Sequence, residues 1–120
     1  MAIGPSAQVA DEELANFYRM ITEHVVLTDP QAGVADFSAV SSFDVSVERI
    51  RMLAKMAPAM PQTSRPRVVV APSDHIYGMM RMFKSEGKAS RPNLHVVRTL
   101  DEARAILGVQ NPQFELLDRD

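Results

Sequence analysis

The chain has 120 residues, of which 46% are hydrophobic and 23% are charged, with a formal net charge of -2 and no cysteine. These values predict one globular domain over residues 1–120, and they exclude a disulfide scaffold, thiolate metal sites and thiol catalysis. No run of residues reaches the ~20 apolar positions of a membrane span, and the N-terminus lacks a secretory pattern, so we expect a cytoplasmic protein with no membrane partner.

Acidic and basic residues are interspersed along the chain, and for that reason no nucleic-acid partner is expected. Only the region 65–98 is locally basic. Its cations are interpreted as members of solvated helix faces and loop ends. They are Arg65, Arg67, Arg81, Lys84, Lys88, Arg91 and Arg98.

The first half of the chain begins with weak patterning and then becomes helical. Residues 1–9 are predicted as a loose terminus, with a single short strand as the alternative. A helix should begin at Asp11 and stop before Pro30, because a proline cannot continue it. Residues 33–37 are typical of a short strand, and residues 38–43 of a polar connection. Ser46 is a suitable N-cap for a second helix.

The second half alternates strands and helices. The apolar run 68–71 lies between two prolines, which predicts a central strand buried on both faces. Ser73 or Asp74 should cap a third helix, in which Gly78 is expected to let another backbone come close. Residues 94–98 predict the last strand. A capping box, Thr99 with Glu102, then starts a final helix, and residues 109–120 form a tail that either docks or frays.

This order predicts an α/β fold with a small, mostly parallel sheet of three or four strands and about four helices. In such a sheet the carboxyl ends of the strands share one edge, which is where open α/β folds bind ligands. Serine, threonine and aspartate residues follow each predicted strand, and we call them the polar rim. The polar rim comprises Ser38, Ser41, Ser42, Asp44, Ser46, Ser73, Asp74, Thr99 and Asp101.

The sequence predicts a binding protein rather than an enzyme, with no catalytic residues, cofactor or metal. His24, His75 and His95 lie far apart, and there is neither a nucleophile elbow nor a glycine-rich phosphate loop. Tyr77 and Arg81 are candidates for contact with a small anionic ligand, or else they orient the third helix. A group of methionines is interpreted as core filler, with an adaptable apolar pocket or interface as the alternative. It comprises Met52, Met56 and Met60, on or just after the second helix, and Met79, Met80 and Met82 in the third.

Residues 35–46 read ADFSAVSSFDVS, residues 70–83 read VAPSDHIYGMMRMF, and residues 98–108 read RTLDEARAILG. In this order, these stretches resemble the STAS domains of bacterial anti-sigma-factor antagonists, typified by SpoIIAA, and a small bacterial subfamily of SpoIIAA-like proteins. Asp36, Ser38 and Val40 match the family's strand end, and Asp44 matches its turn aspartate. Ser46 matches the serine that the antagonists phosphorylate. Val47 stands where the family's turn has glycine.

The resemblance implies a STAS-like fold whose N-terminal hairpin is missing or short, because few residues precede Asp11. It implies a non-enzymatic protein-interaction module, with an anti-sigma-type kinase as one possible partner. Asp36, Ser38, Asp44 and Ser46 would form the partner or phosphorylation site, and Ser73, Asp74, Tyr77, Arg81 and Thr99 a ligand edge. A small-molecule or lipid-binding module is the alternative function. The uncovered sheet edge further predicts a homodimer.

Overall fold

A computed structural model describes residues 2–5, 7–61, 64–108 and 116–117 of the chain. The elements follow one another as β1 (Ala2–Ile3), β2 (Ala7–Ala10), α1 (Asp11–Thr28), β3 (Gly33–Asp36), β4 (Val40–Asp44), α2 (Val47–Lys55), β5 (Arg67–Val70), α3 (Asp74–Glu86), β6 (Leu94–Val97), α4 (Leu100–Ile106) and β7 (Leu116–Leu117). Within the described residues no helix combines the length and the apolar character that crossing a bilayer requires.

The strands form two parallel sheets, which confirms the α/β class and the parallel pairing. The larger sheet has five strands in the order β6-β5-β3-β1-β7, and β2 pairs with β4 in a separate two-stranded sheet. The strand number exceeds the expected three or four because the two-residue strands β1 and β7 extend one side of the sheet. Of the predicted tail, residues 109–115 and 118–120 lie outside the described residues.

The carboxyl ends of β3, β5 and β6 are level with one another. Asp36 pairs with Val70 across β3 and β5, and Val70 pairs with Val97 across β5 and β6. Helix α3 starts four residues after Val70, and α4 starts three residues after Val97. The N-termini of both helices therefore lie at the same edge of the sheet, as the sequence predicts.

Two differences from the sequence-based expectation concern the start of the chain and the serine-rich segment. The region predicted as loose carries β1 and β2, which pair with β3 and β4 rather than with each other. Residues 38–43, predicted as a connection, contain most of β4, whose partner is β2. No residue of β4 is fully buried, so the strand lacks the alternation of buried and exposed positions by which a strand is predicted. Its pairing depends on residues more than 30 positions away in the chain.

Gly4 allows the step from β1 to β2. A Cβ atom at this position would collide with the backbone carbonyl of Asp36. The close backbone approach that the sequence analysis assigned to Gly78 is therefore found at Gly4 instead. Gly78 is exposed on α3, and a Cβ atom there would meet nothing within 4 Å, so that prediction is wrong.

The core has two parts, one on each face of the larger sheet. Helices α1, α2 and α3 cover one face, where Phe17, Ile50 and Met80 are buried against Val69. Helix α4 covers the other face, where Ala103 packs with valines of β3, β5 and β6. Every residue of β5 is buried, which confirms the prediction of an inner strand covered on both faces, although the middle strand of the five is β3.

Candidate functional site

The helix N-termini at the carboxyl edge are capped by the residues that the sequence indicates. The Ser73 hydroxyl accepts a hydrogen bond of 3.2 Å from the backbone N–H of Ile76. Thr99 and Glu102 form a capping box, in which the Thr99 hydroxyl accepts from the N–H of Glu102 at 3.1 Å. These hydrogen bonds stabilise the first turns of α3 and α4. Both capping residues are exposed, so they also lie on the surface of the polar rim.

Four side chains form a cluster at the surface beside these caps, which we call the Tyr77 cluster: Asp74, Tyr77, Arg81 and Arg98. Arg98 forms an ion pair of 2.7 Å with Asp74, and its guanidinium lies 4.2 Å from the centre of the Tyr77 ring. Arg81 donates a 3.4 Å hydrogen bond to the Tyr77 hydroxyl. An aromatic ring between two guanidinium groups presents positive charge and a flat apolar face together. The other three residues are site residues predicted from the sequence, whereas no local pattern indicates Arg98.

Strand β4 contacts the start of α3, beside this cluster, through one aromatic pair. The ring of Phe43 in β4 lies 5.7 Å from the ring of His75, which is in the first turn of α3. Asp44 follows Phe43 directly and is exposed. The contact therefore brings Asp44 and the start of α3 to the same end of the molecule.

Ser46 and Asp11 connect the N-termini of α2 and α1. The Asp11 carboxylate accepts hydrogen bonds from the Ser46 backbone N–H at 2.7 Å and from the Ser46 hydroxyl at 2.9 Å. The same hydroxyl accepts from the N–H of Arg49 at 3.1 Å, which confirms that Ser46 is the N-cap of α2. The backbone hydrogen bond from Ser46 lowers the pKa of Asp11 below its ordinary value, although partial desolvation opposes it. No local pattern in the sequence indicates this pairing, because Asp11 and Ser46 are 35 positions apart.

Asp36 does not reach the surface. Its side chain is 2% exposed, and its Oδ1 accepts hydrogen bonds from the backbone N–H and the hydroxyl of Ser38. Asp36 therefore fixes the turn between β3 and β4, and a partner protein cannot contact it in the folded chain. Ser38 is exposed at the same turn.

The remaining polar-rim residues are exposed. The Ser41 hydroxyl donates to the carbonyl of Ala7 at 3.3 Å, and Ser42 lies next to it in β4. Asp101 forms an ion pair of 3.3 Å with Arg104 in the same helix. Exposed ion pairs of this kind contribute little to stability, so these side chains are free to change partners.

Two arginines of the basic region are buried, contrary to their interpretation as solvated residues. Arg91 is 3% exposed and Arg67 is 8% exposed. Arginines are almost never fully buried, so composition and spacing gave no signal for either.

Arg91 closes the C-terminal end of α2. Its guanidinium donates to the carbonyls of Ala54 at 2.7 Å, Leu53 at 3.2 Å and Met56 at 3.0 Å. It also donates to the Tyr18 hydroxyl of α1 at 2.9 Å and lies 4.6 Å from the centre of a phenylalanine ring in α3. A positive charge at a helix C-terminus is favourable, and the planar fork serves several acceptors at once. Arg91 therefore joins three helices.

An apolar cavity of about 120 Å³ lies between these helices and the sheet. Met60 and Met80 line it, while Met52 and Met56 are exposed on α2 or just after it. The methionine group is thus divided between the cavity wall, the core and the surface. Arg67 and Arg91 also border the cavity. Burial, and next the charge of Arg91, lower the pKa of Arg67.

The described part of the chain holds no group of side chains arranged to bind a metal. Nowhere in ranges 2–5, 7–61, 64–108 and 116–117 do three histidine, cysteine, aspartate or glutamate side chains gather as metal ligands would. Comparisons of the chain with protein-family models, with curated proteins and with solved structures found no match. The site must therefore be interpreted from its own geometry.

Proposed function

We propose that the chain is a non-enzymatic, STAS-like protein-interaction module that binds a protein partner through the polar rim and the Tyr77 cluster. The observation that supports this most is the surface array at the carboxyl edge, where Arg98 contacts both Asp74 and Tyr77 and Phe43 joins β4 to α3. Arginine and tyrosine are among the side chains that most often dominate the energy of protein interfaces.

The role of Ser46 in this proposal is primarily that of an N-cap. A phosphate on its oxygen would remove the proton that Ser46 donates to Asp11 and would place negative charge beside that carboxylate. Phosphorylation is the alternative role, and it would open the junction between α1 and α2. The proposal that the partner is an anti-sigma-type kinase rests on the sequence resemblance alone.

A photo-crosslinking amino acid in living cells tests the proposed surface. The crosslinking amino acid replaces Ser42 in one variant and Asp101 in another, since both residues are exposed on the polar rim. In the control variant it replaces Lys88, which is exposed beyond the C-terminal end of α3. We expect both rim positions to give the same discrete crosslinked protein and the control to give none. Equal products from Lys88, or no product from either rim position, would contradict the proposal.

A charge reversal then tests whether the Tyr77 cluster recognises that partner. Arg98→Glu removes the cation over the tyrosine ring and repels Asp74, so we expect the purified partner to bind about tenfold more weakly. Arg51→Glu, which reverses the exposed ion pair of Arg51 in α2 with Glu86 at the end of α3, is the matched control. Unchanged affinity of Arg98→Glu, with a native circular dichroism spectrum, would remove the cluster from the interface.

The cavity favours a second candidate function, the binding of a small molecule. Interiors are close-packed, and voids larger than a water molecule are few in any domain. A cavity of about 120 Å³ between three helices and a sheet is therefore a feature that a ligand could use. Native mass spectrometry of the protein purified from its host tests this function, because a bound ligand adds a defined mass that denaturation removes.

A further inference from the structure

The cavity arises where β3 carries small residues on the face that the helices cover. Side chains alternate between the two faces of a strand, so Gly33, Ala35 and Phe37 belong to one face. Phe37 is buried in the core of the helical layer. Gly33 has no side chain and Ala35 has only a methyl group, and both line the cavity. These two residues therefore leave a space beneath the helices that larger side chains would fill.

The exposure of Ala35 indicates that neighbouring side chains do not fill this space. Its partners in the adjacent strands are Ile3 of β1 and Val69 of β5, so Ala35 lies inside the sheet. It is nevertheless only half-buried, whereas Ile3 and Val69 are buried. Because Ala35 lines the cavity, its remaining accessible surface faces that space.

The walls of the cavity are apolar, and they come from both layers of the fold. Phe17 and Ile21 of α1 and Met80 and Phe83 of α3 lie opposite the sheet residue Val69. No residue among those described along the wall is acidic. Apolar cavities of comparable size stay dry and accept small hydrocarbon molecules. The lining therefore suits a compact apolar molecule rather than a cluster of waters.

The polar groups at the margin of the cavity already have partners within the fold. Arg91 donates to three carbonyls at the end of α2 and to the Tyr18 hydroxyl. That hydroxyl in turn donates to the carbonyl of Ala57. Arg67, which also borders the cavity, interacts within the folded chain as well. A polar ligand would lose its hydrogen bonds to water on entering, and this loss disfavours it.

We propose that this cavity binds a compact, uncharged apolar molecule of about the size of benzene, packed against Ala35, Val69 and Met80. The inference rests on the second candidate function, small-molecule binding, and adds the class of ligand. An apolar cavity of about 150 Å³ is known to hold benzene, so a volume of about 120 Å³ suits a molecule of about six non-hydrogen atoms. Long-chain lipids are excluded by the same volume.

The test uses a matched pair of probes, benzene and pyridine, which share one shape and differ by a ring nitrogen. Each is titrated into the full chain at a pH where pyridine is uncharged, and binding is followed by ¹H–¹⁵N NMR. We expect saturable shifts of the Val69 and Met80 amide signals, with pyridine binding about tenfold more weakly because its nitrogen leaves water for an apolar wall. Equal affinity of the two probes would overturn the apolar class while leaving small-molecule binding intact. No saturable shift with either probe would overturn both.

A cavity-filling variant, Ala35→Val, tests the location of the site. Valine adds two methyl groups at the wall, so we expect benzene to bind at least about tenfold more weakly than to the parent chain. Ala105→Val makes the same change at an exposed position of α4, on the other face of the sheet, and should bind benzene as the parent does. Benzene affinity that is the same in both variants would place the binding elsewhere and overturn the proposal. If Ala35→Val fails to fold, the comparison of the two probes on the unmodified chain still decides it.

Discussion

At the scale of single residues, Arg91 holds α1, α2 and α3 together through its buried guanidinium. Arg91→Met leaves the carbonyls at the end of α2 without their buried donor, and we expect a loss of about 2–4 kcal/mol in the free energy of unfolding. Arg91→Lys should also destabilise the fold, because an ammonium group lacks the planar fork. Urea denaturation measures both changes. Arg104→Met, an exposed control, should stay within about 0.5 kcal/mol of the parent chain.

Ser46 and Asp11 form the second residue pair with a measurable effect on stability. Ser46→Ala removes the N-cap of α2 and should cost about 1 kcal/mol of unfolding free energy. Ser64→Ala, at an exposed turn position, is the control, and urea denaturation compares the two variants. A loss of stability that is the same in both would contradict the capping role.

The lowered pKa of Asp11 gives this pair a pH dependence. A carboxylate whose pKa is lower in the folded chain than in the unfolded chain stabilises the fold when the pH is above its pKa in the unfolded chain. This stabilisation is lost as the pH falls through its pKa in the folded chain. We therefore expect acidification from about pH 5 through 3.8, the ordinary pKa of an aspartate, to destabilise the parent chain. The loss of stability should be smaller in Asp11→Asn, which has no carboxylate to protonate at this position. Thermal unfolding at a series of pH values measures the difference. The same loss of stability in Asp11→Asn and in the parent chain over this pH range would contradict the assignment.

At the scale of elements, the two glycines of the α3 region have opposite roles. A Cβ atom at Gly87 would lie 2.6 Å from Nη1 of Arg91 and 3.1 Å from the carbonyl oxygen of Ala54. Gly87→Ala should therefore destabilise the fold by about 1–3 kcal/mol. Gly78→Ala should stabilise it by about 0.5–1 kcal/mol, because the position is open and helical. Denaturation midpoints that move in the same direction for both variants would contradict this assignment.

Local signals are enough to predict the four helices and the strands β3, β5 and β6. Apolar spacing and capping residues identified α1, α2, α3 and α4, and the run of valines identified β5. The same signals missed β1, β4 and β7, because these strands are short and are held by pairing with distant segments. Arg67 and Arg91 were misinterpreted for a related reason: whether an arginine is buried depends on tertiary packing, which no local pattern records.

For the candidate site, the sequence indicated the correct edge of the sheet but not the contacts made there. The rule for parallel strands brought Ser73, Asp74 and Thr99 together as predicted. It did not reveal that Asp36 is interior, nor that Arg98 stacks on Tyr77. Those two facts depend on side-chain packing rather than on the order of strands.

At the scale of the whole molecule, the outer edges of the five-stranded sheet bear on assembly. The side of the sheet that was predicted to lack strands carries β1 and β7, and β6 lies at the other end of the strand order. The N–H and C=O groups of an edge strand such as β6 can pair with another chain. We expect a homodimer, and sedimentation velocity over a range of protein concentrations measures it. A single species with the mass of one chain at every concentration would contradict this prediction.

The central claim is that a protein partner binds the carboxyl edge of the sheet. Hydrogen–deuterium exchange of the chain, alone and with the partner that crosslinking identifies, tests it most directly. We predict slower exchange in residues 40–46, 73–81 and 98–102, since these segments carry the polar rim and the Tyr77 cluster. Slower exchange confined to the opposite end, in residues 20–28 and 87–93, with those three segments unchanged, would contradict the claim.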